Sequence, residues 1–246
     1  MLNCATHGCL REGLSMIRAV FFDFYNTLVD YDPPREETQA RVLKEFGIEV
    51  SPQALRRPIM LADDFIYREH ARLSISKRSK EERGALYARY HGIVLREAGI
   101  DPSPELISGI LGKLLKLELK LVLFDDVMPA LAHLKGRGQI LGLISNVDRD
   151  ITPVCQELGL SAMLQVVVTS QEAGFNKPQP EIFLAALKKA GVKSSEAIYV
   201  GDQHQIDVVG ASAAGMLGIL LDRGGYLEEI TDCPKVRSLS EVAEYL

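Results

Sequence analysis

Arg18-Ala19-Val20-Phe21-Phe22-Asp23-Phe24-Tyr25-Asn26-Thr27-Leu28 is the stretch that decides the fold. Arg18–Phe22 is a short apolar run rich in β-branched and aromatic residues, which predicts a strand. Its apolarity is continuous rather than alternating, so both of its faces are expected to be covered, as in a parallel sheet between layers of helices. An acid stands directly at its end. In open parallel sheets, chemistry collects at the carboxyl ends of strands, so Asp23 becomes the first candidate functional residue.

Reading outward, Ile140–Ile144, Val166–Thr169, Ala197–Val200 and Gly218–Leu221 repeat the pattern. Between and after them, Met128–Arg137, Ile151–Leu158, Pro180–Ala190 and Val208–Ala214 have helical spacing, the third ending at Gly191. Strands alternating with helices imply right-handed βαβ units and a doubly wound α/β fold. One connection is anomalous, because more than a hundred residues separate Phe22 from Ile140, far beyond an ordinary crossover. That stretch reads as four helices, Arg35–Phe46, Pro52–Leu73, Ser79–Ala98 and Pro104–Leu121, with breaks at Gly47, Ser74–Ser79 and Gly99 with Pro102. It predicts an inserted helical-bundle cap over 33–124. The core is then 16–32 plus 125–246, and Met1–Ser15 is expected to be a flexible extension outside the fold.

The chain has 246 residues, 47% of them apolar and 25% charged, with a net charge of −5. A basic field that would draw nucleic acid is missing from this composition. The sequence lacks an apolar run of the roughly 18 to 20 residues that cross a bilayer, so no membrane partner is expected. Cys4, Cys9, Cys155 and Cys233 match neither a disulfide framework nor a paired zinc knuckle. His7 with Cys4 and Cys9 could hold a metal, but no second ligand pair lies nearby. The expected location is cytoplasmic, and the expected assembly is a monomer or homodimer.

The residues after each predicted strand carry the chemistry. The first strand leads to Asp23 and Thr27, and the second to Ser145 and Asn146. The third leads to Lys177-Pro178, and the fourth to Gly201-Asp202 with Asp207 a turn later. Acids, a lysine and hydroxyls on one sheet edge suit a reaction centre. Duller readings exist for each one. Asp23, Ser145 and Asp202 could cap turns or helices, Thr27 could shape its turn, Lys177 could be an exposed lysine, and Asp207 could sit on a solvated helix face. His204 has no evident role.

Taken in order, these motifs resemble the haloacid dehalogenase superfamily, over essentially Met16 to Leu246 and including the helical insertion. The segment Val200-Gly201-Asp202…Asp207-Val208-Val209-Gly210-Ala211 is similar to that family's fourth motif. The resemblance implies a hydrolase in which Asp23 is a covalent nucleophile. It also implies Mg²⁺ held by Asp23, the Tyr25 backbone carbonyl and Asp202, with Asp207 beside them. Lys177 would neutralise Asp23 and a phosphoryl oxygen. Ser145, Asn146 and the amides after Ser145 would face the transferring group, with the Thr27 hydroxyl aiding contact or local geometry. The expected substrate is a small-molecule phosphate.

Tyr25 departs from the pattern. Phosphatases of the superfamily carry a second aspartate there as general acid and base, worth typically about 10²–10⁴-fold. A phenol with an ordinary pKa near 10 does not replace it. The metal-independent 2-haloacid dehalogenases do carry a tyrosine at this position, which makes them the alternative reading. An arginine for their substrate would come from Arg56, Arg57 or Arg68. Against it stand the Asp202–Asp207 pair and Phe183, which occupies the place of a tyrosine typical of those enzymes. A third reading is a catalytically inactive phosphate-ligand sensor.

Overall fold

The computed structural model describes residues 16–246. The expected extension Met1–Ser15, with Cys4, His7 and Cys9, lies outside the described residues. In chain order the strands are Ala19–Phe22 (β1), Val29–Asp32 (β2), Lys120–Leu123 (β3), Ile140–Ser145 (β4), Val166–Thr169 (β5), Ala197–Gly201 (β6), Leu217–Leu221 (β7) and Lys235–Val236 (β8). The α-helices are Arg35–Lys44 (α1), Pro52–Arg72 (α2), Lys80–Glu97 (α3), Pro104–Leu114 (α4), Val127–Gly136 (α5), Thr152–Glu157 (α6), Ser170–Ala173 (α7), Pro180–Ala190 (α8) and Val209–Ala213 (α9).

The main sheet has six strands in the order β5-β4-β1-β6-β7-β8, all paired in parallel. From β1 the chain winds out through β4 and β5, then returns to the other side of β1 for β6, β7 and β8. The reversal therefore falls at β1. Alternate residues of β1 feed two cores: Val20 and Phe22 pack with α5 residues Leu131 and Leu134, and Ala19 and Phe21 pack with α8 residues Ile182 and Phe183. All four β1 residues are fully buried, which is the physical reason for its unbroken apolarity. Phe21 also closes on Gly142 of β4 so tightly that a Cβ there would overlap its ring.

The inserted helices α1 to α4 share a separate apolar core that includes Leu43, Leu55, Ile59, Val94, Leu95 and Ile110. Local chemistry fixes their starts. Ser51 and Ser103 cap α2 and α4 through the backbone N–H three residues on, and Ser79 and Glu82 form a reciprocal capping box on α3.

Two expectations need correction. The helix read over Pro104–Leu121 ends at Leu114, and Lys120–Leu123 is a strand pairing antiparallel with Val29–Asp32 in a separate ribbon. The two junctions of the insertion are thus stitched together. Lys116-Leu117-Glu118-Leu119-Lys120-Leu121 alternates polar and apolar residues, a strand period that the helical reading passed over. The helix read over Val208–Ala214 begins earlier as a π-helical turn over His204–Val208, continued by α9. Such wide turns often lie at functional sites.

Candidate active site

The parallel register delivers the site. Phe22 pairs with Leu143 on one side and Val200 on the other. The residues that follow β1, β4 and β6 therefore emerge side by side, and Asp23, Ser145, Asn146 and Asp202 meet at one sheet edge. The backbone N–H of Asp23 still donates to Val200 at 2.9 Å, which fixes where its side chain starts.

Lys177 is the hub. Its buried Nζ donates to Asp23 Oδ1 at 2.6 Å, Asp207 Oδ1 at 2.7 Å and the Tyr199 hydroxyl at 2.8 Å. Burial works against its charge, but Asp207 and Asp23 outweigh that and hold its pKa above the usual lysine value. Asp23 shows the opposite balance. Burial pushes its pKa up to about 6, against the pull of Lys177, and the Asp207 carboxylate adds to the rise. Asp202 is raised well above the carboxylate range, first by burial and then by Asp207 and Asp23. One lysine among three acids does not compensate them all, and the raised pKa values of Asp23 and Asp202 are the consequence.

Asp23, Asp202 and Asp207 each offer a carboxylate oxygen within 4.8 Å of the others. Asp202 Oδ1 is buried with no hydrogen-bond partner among the described residues, while its Oδ2 accepts from Gln203 at 2.9 Å and Asn26 at 3.3 Å. Asp207 is locked by the Gln203 N–H on Oδ2 at 2.9 Å. Gly201 is required here, since a Cβ would strike the Asp207 carboxylate. An all-oxygen cluster with an orphaned acceptor fits a hard divalent cation such as Mg²⁺.

A cavity of about 400 Å³ opens above Asp23, walled by Ser145, Asn146, Lys177 and Asp207 from below and by Tyr25, Tyr31, Tyr67 and His70 above. Tyr25 and Tyr31 stack with centroids 6.3 Å apart. The inserted helices are fastened over this opening. Ser74 and Ser76 both donate to Asp148 in the loop after β4, the latter at 2.8 Å. Asn26, at φ +59°, passes the Asp202 contact on to Arg35, whose guanidinium makes a two-pronged pair with Asp63 at 2.8 Å.

Not every expected residue meets the cavity in the same way. Thr27 is fully buried away from it, its hydroxyl unpartnered among the described residues and its carbonyl bound by Arg223 at 2.8 Å. Asn146 borders the cavity but spends its amide on the backbone of Lys177, accepting at 2.7 Å and donating at 3.0 Å. Sequence reasoning missed Tyr199, which ties Lys177 to Asp207 and to the Ile144 carbonyl. Its signal was present: Tyr199 is the one polar-tipped side chain in a strand otherwise apolar. Arg56, Arg57 and Arg68 do not line the cavity; Arg56 and Arg68 pair with Glu36 and Asp64.

A family profile for haloacid dehalogenase-like hydrolases matches residues 17–215. The chain is 32% identical over 216 residues to a glyceraldehyde 3-phosphate phosphatase of Methanopyrus kandleri, covering 86% of each protein. It is 28% identical to a ribulose-1,5-bisphosphate 5-phosphatase of Halopiger xanaduensis, covering 84% of this chain and 85% of that one. Among solved structures, a 2-haloacid dehalogenase of Pseudomonas syringae is 27% identical with a TM-score of 0.53, covering 93% of this chain and 97% of that one. No helix among the described residues is long and apolar enough to cross a membrane.

Proposed function

Since this chain belongs to the haloacid dehalogenase-like hydrolases, we propose that it hydrolyses a small organic phosphate through an aspartyl-phosphate at Asp23, with Mg²⁺ bound beside it. The observation that carries this reading is the orphaned Oδ1 of Asp202 beside Asp23 and Asp207, an acceptor set that a divalent cation would complete. Asp23, Asp202, Asp207 and the Tyr25 carbonyl are the proposed ligands. When bound, Mg²⁺ would offset the repulsion between carboxylate and phosphate.

The protein's own groups do the rest. Lys177 holds Asp23 Oδ1 and presents Oδ2 to phosphorus. With a pKa near 6, Asp23 is mainly ionised at neutral pH and ready to attack. Its oxygen bonds to phosphorus as the bond to the leaving oxygen breaks. Ser145 and Lys177 line the place where equatorial charge gathers. Water then attacks phosphorus, releasing phosphate and restoring the Asp23 carboxylate. Tyr25 leaves no carboxyl group at the position of the superfamily's usual acid and base, so acyl, aryl and anhydride phosphates should outrun alkyl esters. The segment 33–124 serves as a cap that excludes water and selects substrate. A cavity of about 400 Å³ suits a small molecule, and the names of the two phosphatase relatives put phosphorylated sugars, alkyl esters on which turnover should be the slower, beside acyl phosphates as the compounds to try.

Tyr25 itself favours a second reading, 2-haloacid dehalogenation, after which the Pseudomonas syringae structure is named. A screen with and without EDTA separates the two. It would contain sugar phosphates, acetyl phosphate, p-nitrophenyl phosphate and L-2-chloropropionate. Mg²⁺-dependent phosphate release that Asp23→Asn abolishes is the expected result. Chelator-insensitive chloride release would move the assignment to the dehalogenase, and Mg²⁺ binding without any turnover would favour an inactive sensor.

A further inference from the structure

His204, Asp232 and Cys233 lie outside the reaction centre, and nothing in the mechanism above uses them. One ligand atom of each falls within 4.8 Å of the other two. His204 Nε2 is 2.9 Å from Asp232 Oδ1, and the Gln205 side-chain amide is 3.1 Å from His204 Nδ1. Cys233 is a free, half-buried cysteine.

We propose that these three side chains form a second cation site, for a borderline-soft divalent ion of the Zn²⁺ class. Bonds of about 2.0–2.3 Å to nitrogen, oxygen and sulfur give tetrahedral edges of roughly 3.3–3.8 Å, so on binding the His204–Asp232 pair would part slightly from 2.9 Å and the Cys233 sulfur, within 4.8 Å, would settle to such an edge. The donor types argue against Mg²⁺, which prefers oxygen alone. For His204 Nε2 to hold the ion, Nδ1 must carry the ring proton, and the Gln205 amide, whose nitrogen lies 3.1 Å from Nδ1, would turn its oxygen there to accept it, the kind of outer contact that orients ligating histidines. On binding, the Cys233 thiol gives its proton to solvent, and water takes the fourth position. The site joins two separate stretches of chain: the π-helical turn that starts at His204 and carries Asp207, and the loop before β8. Occupancy would therefore pin the segment holding Asp202 and Asp207.

Co²⁺ reports on such a site because thiolate ligation gives a near-ultraviolet charge-transfer band that carboxylate sites lack. The reduced full-length chain, kept in excess Mg²⁺, would be titrated with Co²⁺ and then Zn²⁺. The expected result is a band that Zn²⁺ removes, that Cys233→Ser diminishes or abolishes, and that needs at least tenfold more Co²⁺ in Asp232→Asn and in His204→Ala. Circular dichroism would verify that each variant is folded. No band, or identical titrations in the wild type and Cys233→Ser, would overturn the proposal and leave any thiolate signal to Cys4, Cys9 or Cys155. The readout does not depend on turnover, so it stands apart from the fate of the phosphatase reading.

Discussion

The side-chain amide of Asn146 grips the backbone of Lys177 from both sides, accepting its N–H at 2.7 Å and donating to its carbonyl at 3.0 Å. Nζ of that lysine then reaches Asp23 and Asp207 together. A loop residue is thus held with the precision of a strand residue. Asn146→Ala removes both bonds and lets the lysine drift. Because small misplacements can cost about 10²-fold, kcat on a good leaving group such as acetyl phosphate should fall roughly 10- to 100-fold with little change in KM. Asn146→Asp keeps the acceptor and loses the donor, so it should land between. Steady-state kinetics on the three proteins checks this, and equal activities would show that the clamp positions nothing.

Asp202 makes a stability prediction that runs against intuition. Without metal it is a buried carboxylate beside two others, raised by burial and by their charge, with one oxygen unpartnered among the described residues. Asp202→Asn removes a carboxyl group that must either bury a charge or hold a proton there, so the chelated variant should melt higher than the chelated wild type. With Mg²⁺ the order should reverse. Ligand linkage at about 100 times Kd stabilises the wild type by roughly 2.7 kcal/mol, and the variant should gain almost nothing. Thermal melts in EDTA and in Mg²⁺ decide it. A variant that keeps the full Mg²⁺ shift would remove Asp202 from the ligand set.

Tyr25 sets the chemistry available to the leaving group. Its ring lies in the cavity wall, stacked near Tyr31. Tyr25→Asp puts a carboxyl at that point of the wall, and should raise kcat/KM on alkyl phosphates by up to about 10²-fold, the lower end of what a positioned acid contributes. Acetyl phosphate, which needs no proton, should change little. A rise on both substrates alike, or on neither, would mean that Tyr25 has some role other than occupying the place of an acid.

How far the sequence reaches is clear from particular elements. The β1 run and the acids after β1 and β6 were legible because a strand buried on both faces must be apolar, so a charge at its tip stands out. Lys177 was legible only in company, since Lys-Pro alone suits any exposed loop. The ribbon of β2 and β3 was not read, because it pairs residues on either side of a long insertion and its short alternation sat beside a helical pattern. The Arg35–Asp63 pair, with Asn26 and Tyr90 hydrogen-bonded to it, was also missed. It joins residues from β1's loop, α1, α2 and α3, and no local spacing announces such a meeting.

His91 supplies a pH prediction away from the active site. It is buried in the helical insertion beside Gln39, whose amide lies 3.3 Å from Nδ1. Burial lowers its pKa from 6.5 to about 4. The folded state therefore binds fewer protons than the unfolded one between those values, so the contribution of His91 is fully present above about pH 6.5 and is lost as pH falls through 4. Integrated over that window the loss amounts to roughly 3 kcal/mol. His91→Gln cannot take up the proton, so the slope of stability against pH should flatten between 6.5 and 4, leaving the contribution of the carboxylates. Urea denaturation at half-unit steps of pH, read by circular dichroism, measures both slopes. Parallel curves would show that the imidazole takes up its proton in the folded protein as readily as in the unfolded chain.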